Sequence, residues 1–424
     1  MSTPAAKRKA SEAILRLAEA DVDRQRQRNA FIGDIQSDPD DEADSPCPVF
    51  DLFYHAEGNE GIRKMSNFNA SEFNFVWSQI CENVDLKWNC GRGKRNRHTS
   101  KDVFFMFMAV MKHAGKWDAM ASTFGIATPT FQALITKFMV VVQPFLYDVF
   151  VYTVNETWSM EKLRTSGNSF QHYPSARYAT DVTFQQTNMP ADNLAERKRY
   201  FSKKHHLYGY KVEVSVAPNG LALNCTKHYP GNESDIGIFR KNFAFHDSNL
   251  LKLPREESFV DEGPLKEKFP KQWIVSVDKG YQGLSDVIRA LHPKKKPPNA
   301  SLSRQEHEIN TYISSDRVIV ENFFGRLCTL WAMCSDKFRW NEELYDTIFR
   351  CGLALTNAHI LKHPLRARDG ESYACYTNRL SFIGNDIREK RAAAQESYRR
   401  KRRLRLESSV SGLPGDSGYN SDDI

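Results

Sequence analysis

The sequence has few of the features that mark secreted, zinc-binding or membrane-spanning proteins. Its eight cysteines form no C-x-x-C pair, so we expect free thiols in a reducing compartment rather than disulfides or a zinc site. Residues 1–10 contain basic side chains but no apolar segment of the kind that a secretory signal requires. No run approaches the apolar length of a membrane span, and we therefore expect no membrane contact.

Outside the first 60 residues, basic side chains outnumber acidic ones. Residues 1–60 hold seven Lys/Arg and thirteen Asp/Glu, so they carry −6 of a chain whose total is +7, and residues 61–424 carry +13. We expect the first stretch to be a disordered acidic tail, because it is poor in apolar residues. The positive remainder predicts a polyanionic partner, with ordinary solubilising charge as the alternative.

The first candidate site residue is Asp181, in the middle of a predicted strand. Residues 178–184 are rich in the aromatic and β-branched types that strands favour. A strand would direct Thr180 and Val182 to one face and Asp181 and Thr183 to the other. Taken alone, the acid has two open explanations, a functional carboxylate or an edge strand with one wet face, since an unpaired buried acid is costly.

Two further acids lie at positions typical of functional sites. Asp278 ends the buried-looking segment Trp273–Asp278, and ligand sites in α/β sheets gather at the carboxyl ends of strands. Glu321 lies in a predicted helix that extends to about residue 338, beside an apolar stripe formed by Val320, Phe323, Phe324 and Leu327. Gly325, one turn further on, would let this helix approach a neighbour closely, at a cost in helix stability.

The order of these acids, strand Asp, strand-end Asp and helix Glu, resembles that of DDE transposases and integrases with an RNase-H-like core. The gaps between them are 97 and 43 residues. Three flanking segments resemble PIF/Harbinger-type transposases in particular: Arg199–Lys211 (RYFSKKHHLYGYK), Tyr229–Asp235 (YPGNESD) and Val320–Leu327 (VENFFGRL). The resemblance covers roughly residues 60 to 365.

The resemblance implies an α/β fold with an RNase-H-like catalytic core, a mixed sheet flanked by helices. The expected order is a disordered acidic tail (1–60), a helical, helix-turn-helix-like DNA-binding subdomain (61–165), a DDE nuclease domain (170–365) and a basic, mostly disordered C-terminal tail (366–424). Within the core we expect a three-stranded meander after Asp181 and helices near residues 235–245, 284–291 and 344–361.

The helix-turn-helix interpretation concerns the helix that follows Thr128-Pro129. Its inner face would carry Phe131, Leu134, Ile135 and Phe138, and its outer face, in the major groove, would carry Thr130, Gln132, Thr136 and Lys137. A plain helical subdomain packed on the catalytic core remains the alternative.

Three carboxylates are suited to phosphodiester cleavage, because they can hold two Mg²⁺ ions about 3.5–4 Å apart. Such a pair of ions activates the attacking oxygen and holds the leaving oxygen. Mg²⁺, with Mn²⁺ as substitute, prefers oxygen ligands. The resemblance implies that Asp181 bridges both metals, while Asp278 and Glu321 bind one each. Asp235 is expected to support the site or to begin a helix. For His205 and His206 we favour phosphate contact or surface exposure over proton transfer.

Basic segments are expected to hold the DNA backbone without reading sequence. The candidate DNA-binding residues are Arg197, Lys198, Arg199, Lys203, Lys204, Lys294, Lys295 and Lys296. Family members often have Arg and Lys where this chain has Asn322 and Cys328, which predicts weaker DNA contact from that helix. The run Arg399–Arg403 predicts a nuclear-localisation or nucleic-acid patch, with a solvated basic helix as the alternative.

Together these features predict a nuclear, Mg²⁺-dependent DDE transposase or endonuclease that cuts DNA and joins transposon ends. A host-recruited nuclease without mobile ends, and a domesticated, catalytically inactive DNA-binding or scaffold protein, are the alternatives. No Myb-like domain is evident in the sequence, so the resemblance implies a separate Myb-like DNA-binding protein as a partner. A homo-oligomer is the other expected assembly.

Overall fold

The structure is a computed structural model that describes residues 47–90, 95–191, 193–297 and 301–411, with side chains through residue 405. The expected disorder of the first 46 and last 13 residues therefore lies outside the described residues. Residues 48–60, which we assigned to the acidic tail, are helical instead apart from a kink at Glu57 and Gly58, and Phe50 among them is fully buried. The N-terminal half up to residue 165 contains eight α-helices within its described part: α1 (Pro48–Ser66), α2 (Ala70–Ser78), α3 (Cys81–Lys87), α4 (Ser100–His113), α5 (Trp117–Thr123), α6 (Thr128–Tyr147), α7 (Thr153–Thr157) and α8 (Met160–Thr165).

Helix α4 lies at the centre of this helical part. The Thr99 side chain accepts a hydrogen bond from the Asp102 amide and so caps the N-terminus of the helix. Every residue from Lys101 to Lys112 is buried, because α1, α3, α6 and the short helix at residues 332–335 surround α4. One hydrophobic core continues from these helices into the sheet.

Helix α6 has the two faces that the sequence predicted. Its inner residues Phe131, Leu134, Ile135 and Phe138 are buried. Thr130, Gln132 and Lys137 are exposed, and Thr136 is half-buried. These faces suit a helix-turn-helix and a packed helical subdomain equally, so DNA contact by α6 stays a prediction.

The expectation that no stretch reaches the length and apolarity of a membrane span was wrong for Thr128–Thr157. This helical stretch passes such a test by length and composition. Its apolar side is buried against α4 and the helix at residues 345–362, so it serves here as a helix of the core.

The second half of the described chain is built on a seven-stranded mixed sheet. Strand β1 lies between β3, which is antiparallel to it, and β6, which is parallel; β7 extends the sheet beyond β6 in parallel, and β2, β4 and β5 pair with β3. The expected meander, β1 to β3 to β4, is confirmed. The strands are β1 (Ala176–Gln186), β2 (Phe201–Ser202), β3 (Leu207–Val216), β4 (Ala222–Cys225), β5 (Tyr229–Pro230), β6 (Ile274–Ser276) and β7 (Ala290–Leu291).

Helices cover the sheet, and most were expected. These are α9 (Leu194–Tyr200), α10 (Asp235–Lys241), α11 (Phe243–Leu250), α12 (Arg304–Leu330), α13 (Ala332–Ser335), α14 (Tyr345–Lys362) and α15 (Ala367–Ser411). Two expectations were wrong. Residues 284–291 form a 3₁₀ turn followed by β7 rather than a helix, and α12 ends at Leu330 rather than near residue 338.

The prediction that the chain leaves the core after residue 365 as a mostly disordered tail was also wrong. Helix α15 packs along α12, where Asp369 forms a buried ion pair with Arg326 (2.9 Å between Oδ2 and Nη2). Tyr376 and Leu380 are buried in a small apolar cluster with Phe184 of β1. Residues 388–405, in the outer half of α15, are exposed.

Candidate active site

The side chains of Asp181, Asp278 and Glu321 converge on a single guanidinium, that of Arg317. Arg317 Nη1 lies 2.9 Å from Asp181 Oδ2, and Arg317 Nη2 lies 2.8 Å from Glu321 Oε1 and 3.7 Å from Asp278 Oδ1. The expectation that the three acids come together is thus met in space. Their roles in catalysis and metal binding stay a prediction.

The secondary structure accounts for this convergence. In β1, Asp181 is paired with Val214 of β3, and the alternation of the strand directs it toward α12, while Thr180 on the other face contacts Ser215 (2.7 Å between hydroxyl oxygens). Strand β6 runs parallel to β1, so Asp278 emerges two residues beyond its carboxyl end and beside Asp181. Arg317 and Glu321 are four residues apart on α12 and therefore on one face.

The site is half-buried and electrostatically coupled. Burial raises the pKa of Asp181 to about 6, against the opposing effects of the Arg317 charge and of the hydrogen bond from the Val182 amide. Burial acts to lower the pKa of Arg317, but the surrounding carboxylates outweigh it and raise that pKa. The Asp278 and Glu321 side chains remain 40% and 36% exposed, so the site is open to solvent.

The donor set suits a hard divalent cation, although a cation already lies among the acids. Mg²⁺ and Mn²⁺ favour carboxylate oxygens, and three carboxylates here face one positive group. Within the described ranges, no three Asp, Glu, His or Cys side chains are spaced to hold a metal ion as they stand. The acids surround the guanidinium instead, and its Nε is buried without a hydrogen-bond partner.

Asp235 and His205, two other residues considered near the site, have roles in the packing of the fold. Asp235 begins α10, as one of our two alternatives had it, and pairs with Lys211 (2.9 Å). His205 is buried, which corrects the expectation of phosphate contact or surface exposure. Its ring stacks on that of Phe184 with 4.7 Å between centroids, and burial, with Lys204 and Lys211, lowers its pKa to about 4.

The eight basic residues proposed to bind DNA lie in three surface segments. Arg197, Lys198 and Arg199 belong to α9, where Arg199 pairs with Glu196 (2.9 Å). Lys203 and Lys204 are exposed in the β2–β3 turn, and Lys294, Lys295 and Lys296 are exposed after β7, where Lys294 pairs with Glu306. Their contact with DNA stays a prediction.

Arg317 was not among the residues predicted from the sequence. The signal was present, because residues at i and i+4 on a helix are neighbours and Glu321 was already singled out. We predicted weaker DNA contact from α12 because of Asn322 and Cys328, and the positions of these two side chains correct that reason. Both side chains are buried on α12, and Cys328 belongs to the apolar cluster under α15, so neither is placed to contact DNA.

Comparison with known proteins agrees with this geometry. The family model described as "DDE superfamily endonuclease" matches residues 180–357, a segment that contains all three acids and Arg317. The chain is similar to a protein of Microchaete diplosiphon described as "Probable transposase for insertion sequence element IS702", at 25% identity over 160 residues. The match covers 38% of this chain and 48% of the relative, about half of that protein's length. No solved structure matches the chain.

Proposed function

We propose that the chain is a divalent-metal-dependent DNA endonuclease of the PIF/Harbinger transposase type, with an RNase-H-like core. The observation that carries the proposal is the convergence of Asp181, Asp278 and Glu321, contributed by a strand, a strand end and a helix. The segment that holds them is the one similar to DDE endonucleases. The intact acid set favours an enzyme over the inactive scaffold. End joining, nuclear localisation, a Myb-like partner and a homo-oligomer belong to the same proposal.

Each residue of the site has a defined task in this proposal. Asp181, Asp278 and Glu321 would hold Mg²⁺ or Mn²⁺, and such ions activate the attacking oxygen and stabilise the leaving oxygen. The Arg317 guanidinium neutralises the same three carboxylates. We infer that Arg317 and a divalent cation compete for this position. Without a positive group there, three carboxylates would repel one another.

The test separates cleavage from binding by changing one acid at a time to its amide. Asp181→Asn, Asp278→Asn and Glu321→Gln should each reduce Mg²⁺-dependent nicking of supercoiled DNA by at least about 100-fold, because ligands of one metal centre act as a unit. DNA affinity should stay within about twofold, since it depends on Lys and Arg contacts with phosphates.

The matched control is Asp286→Asn, an exposed acid whose ion-pair partner is Lys268. It should nick DNA as the wild type does. Retained nicking in the Asp181 or Asp278 variant would refute the proposal. Parallel loss of nicking and DNA binding in the acid variants would assign these residues a structural role instead.

A further inference from the structure

The β2–β3 turn and the helix α15 meet although about 180 residues separate them in the sequence. Gly384 of α15 is buried against the turn, and a Cβ at that position would clash with the His205 carbonyl oxygen. One turn of helix further on, Arg388 Nη1 lies 3.3 Å from His206 Nε2. The close approach brings the turn, which also carries the exposed Lys203 and Lys204, to the start of the exposed half of α15.

This junction is attached to the strand that carries Asp181. His205 of the turn stacks on Phe184, and the Tyr376 hydroxyl of α15 donates a hydrogen bond to the Phe184 carbonyl oxygen (2.8 Å). Phe184 lies three residues beyond Asp181 in β1, a distance of about 10 Å along a strand. The turn and the base of α15 are therefore held in a fixed relation to the acids.

The exposed half of α15 presents a stripe of arginines that starts at this junction. Residues 387–406 hold nine Lys/Arg and two Glu. Arg388, Arg391, Arg399 and Arg402 are separated by 3, 8 and 3 residues, which places them on one side of a helix with 3.6 residues per turn. The stripe extends over roughly 20 Å. Lys390, Arg400 and Lys401 lie on the opposite side.

We propose that the β2–β3 turn and the arginine stripe of α15 form one surface that binds the phosphate backbone of duplex DNA next to the acid site. The proposal rests on the proposed function in taking DNA as the partner. Arginine forms bidentate contacts with phosphate, and a straight basic helix can follow the backbone of a duplex. A membrane surface is disfavoured, because Tyr398 and Leu404 are the only large apolar side chains between residues 388 and 405.

The test compares two triple variants of the same helix that remove equal charge. Arg391→Gln/Arg399→Gln/Arg402→Gln, the stripe variant, removes three of the four stripe arginines and keeps Arg388 at the junction. Lys390→Gln/Arg400→Gln/Lys401→Gln removes three charges from the opposite side. Binding to a labelled 30-base-pair duplex is measured at several salt concentrations. The stripe variant should reduce the magnitude of the slope of log K against log salt by about 2–3, and the variant of the opposite side by less than about 1. Lys203→Gln/Lys204→Gln should lower it by about 1–2.

A fourth variant tests whether the helix positions the charges. Ala393→Pro interrupts α15 within its basic part, between Arg391 and Arg399 of the stripe, and keeps every charge. Ala393→Pro should reduce the magnitude of the salt slope by at least half as much as the stripe variant does. Equal losses in both triple variants, no loss in either, or wild-type binding by Ala393→Pro would each overturn the proposal. The proposal would also be overturned if the stripe variant lost affinity for duplex RNA but not for duplex DNA.

Failure of this surface and failure of the nuclease proposal give different results. If the stripe variant binds DNA as the wild type does while Mg²⁺-dependent nicking persists, the surface is refuted and the nuclease stands. If the stripe controls binding but the wild type does not nick DNA, the surface stands and the nuclease is refuted.

Discussion

At the residue scale, Arg317 explains how three acids lie close together despite their like charges. Its guanidinium provides several N–H donors in a fixed plane, so it reaches Asp181 and Glu321 at hydrogen-bond distance and Asp278 at 3.7 Å. The types and order of the acids were predictable from the sequence. The cation between them was not predicted, because the three carboxylates were expected to face a metal ion rather than an arginine.

His205 yields a prediction about pH. Its folded-state pKa of about 4 lies below the unfolded value near 6.5, so the unfolded chain takes up the proton first as the pH falls. The protein should therefore lose about 2–3 kcal/mol of stability to this residue between about pH 7 and pH 4.5. His205→Phe keeps an aromatic ring on Phe184 and removes a buried Nδ1 that has no hydrogen-bond partner.

The measurement is the free energy of unfolding by urea at several pH values. The difference between His205→Phe and wild type should move in favour of the variant on acidification, by the same 2–3 kcal/mol. The control is His55→Phe, at an exposed histidine of α1, for which we expect no such change. A constant difference between His205→Phe and wild type would show that the pKa of this histidine is the same in the folded and the unfolded chain, and would contradict the prediction.

At the scale of elements, the crossing of α12 and α15 depends on Gly325. The sequence predicted that this glycine allows a close approach to a neighbouring element, and the structure identifies that element as α15. A Cβ at Gly325 would clash with the carbonyl oxygen of Asp369. Gly325→Ala should therefore destabilise the protein by about 1–3 kcal/mol, the usual cost of forcing packed elements apart. Gly115→Ala is the matched control, because its Cβ would meet the Met120 side chain at an ordinary 3.6 Å.

Thermal and urea unfolding of these two glycine variants provide the measurement. Gly115→Ala should be neutral or slightly stabilising, since alanine restricts the unfolded chain. Equal stability of the two variants would show that α15 moves off α12 at no cost and would contradict the close crossing.

The elements that the sequence predicted well are those with strong local patterns. The stripe of α12, the alternation around Asp181 and the apolar run before Asp278 all correspond to the observed elements. The helix predicted for residues 284–291 was wrong, because long-range pairing decides the structure of this segment. Ala290 and Leu291 join β6 in parallel, and the buried Arg289 is fixed by Asp261 (2.6 Å between Nη1 and Oδ2).

Helix α15 was missed for a related reason. Its composition is typical of a solvated tail, yet its first half is held by distant partners, including Arg326 and Phe184. Such contacts leave no periodic signal in the segment itself. The basic run therefore appeared as an isolated patch, whereas the structure attaches it to the strand that carries Asp181.

At the scale of the whole molecule, basic residues outnumber acidic ones after residue 60, although three acids cluster at one site. The excess of +13 over residues 61–424 predicted a polyanionic partner, and the exposed basic segments fit that prediction. One hydrophobic core joins the N-terminal helices to the sheet, so α4 and α6 can support the site through packing whether or not they also contact DNA.

The most direct test of the central claim, that the three acids form a divalent-cation site whose place Arg317 holds, is calorimetric titration of the DNA-free protein with Mn²⁺ near neutral pH. We predict saturable binding by the wild type, tighter binding by Arg317→Gln because the competing cation is gone, and binding at least about tenfold weaker in Asp181→Asn, since Mn²⁺ depends on carboxylate oxygens. Arg317→Lys, which keeps the charge, should remain close to wild type. Equal Mn²⁺ affinity in wild type, Asp181→Asn and Arg317→Gln would contradict the claim.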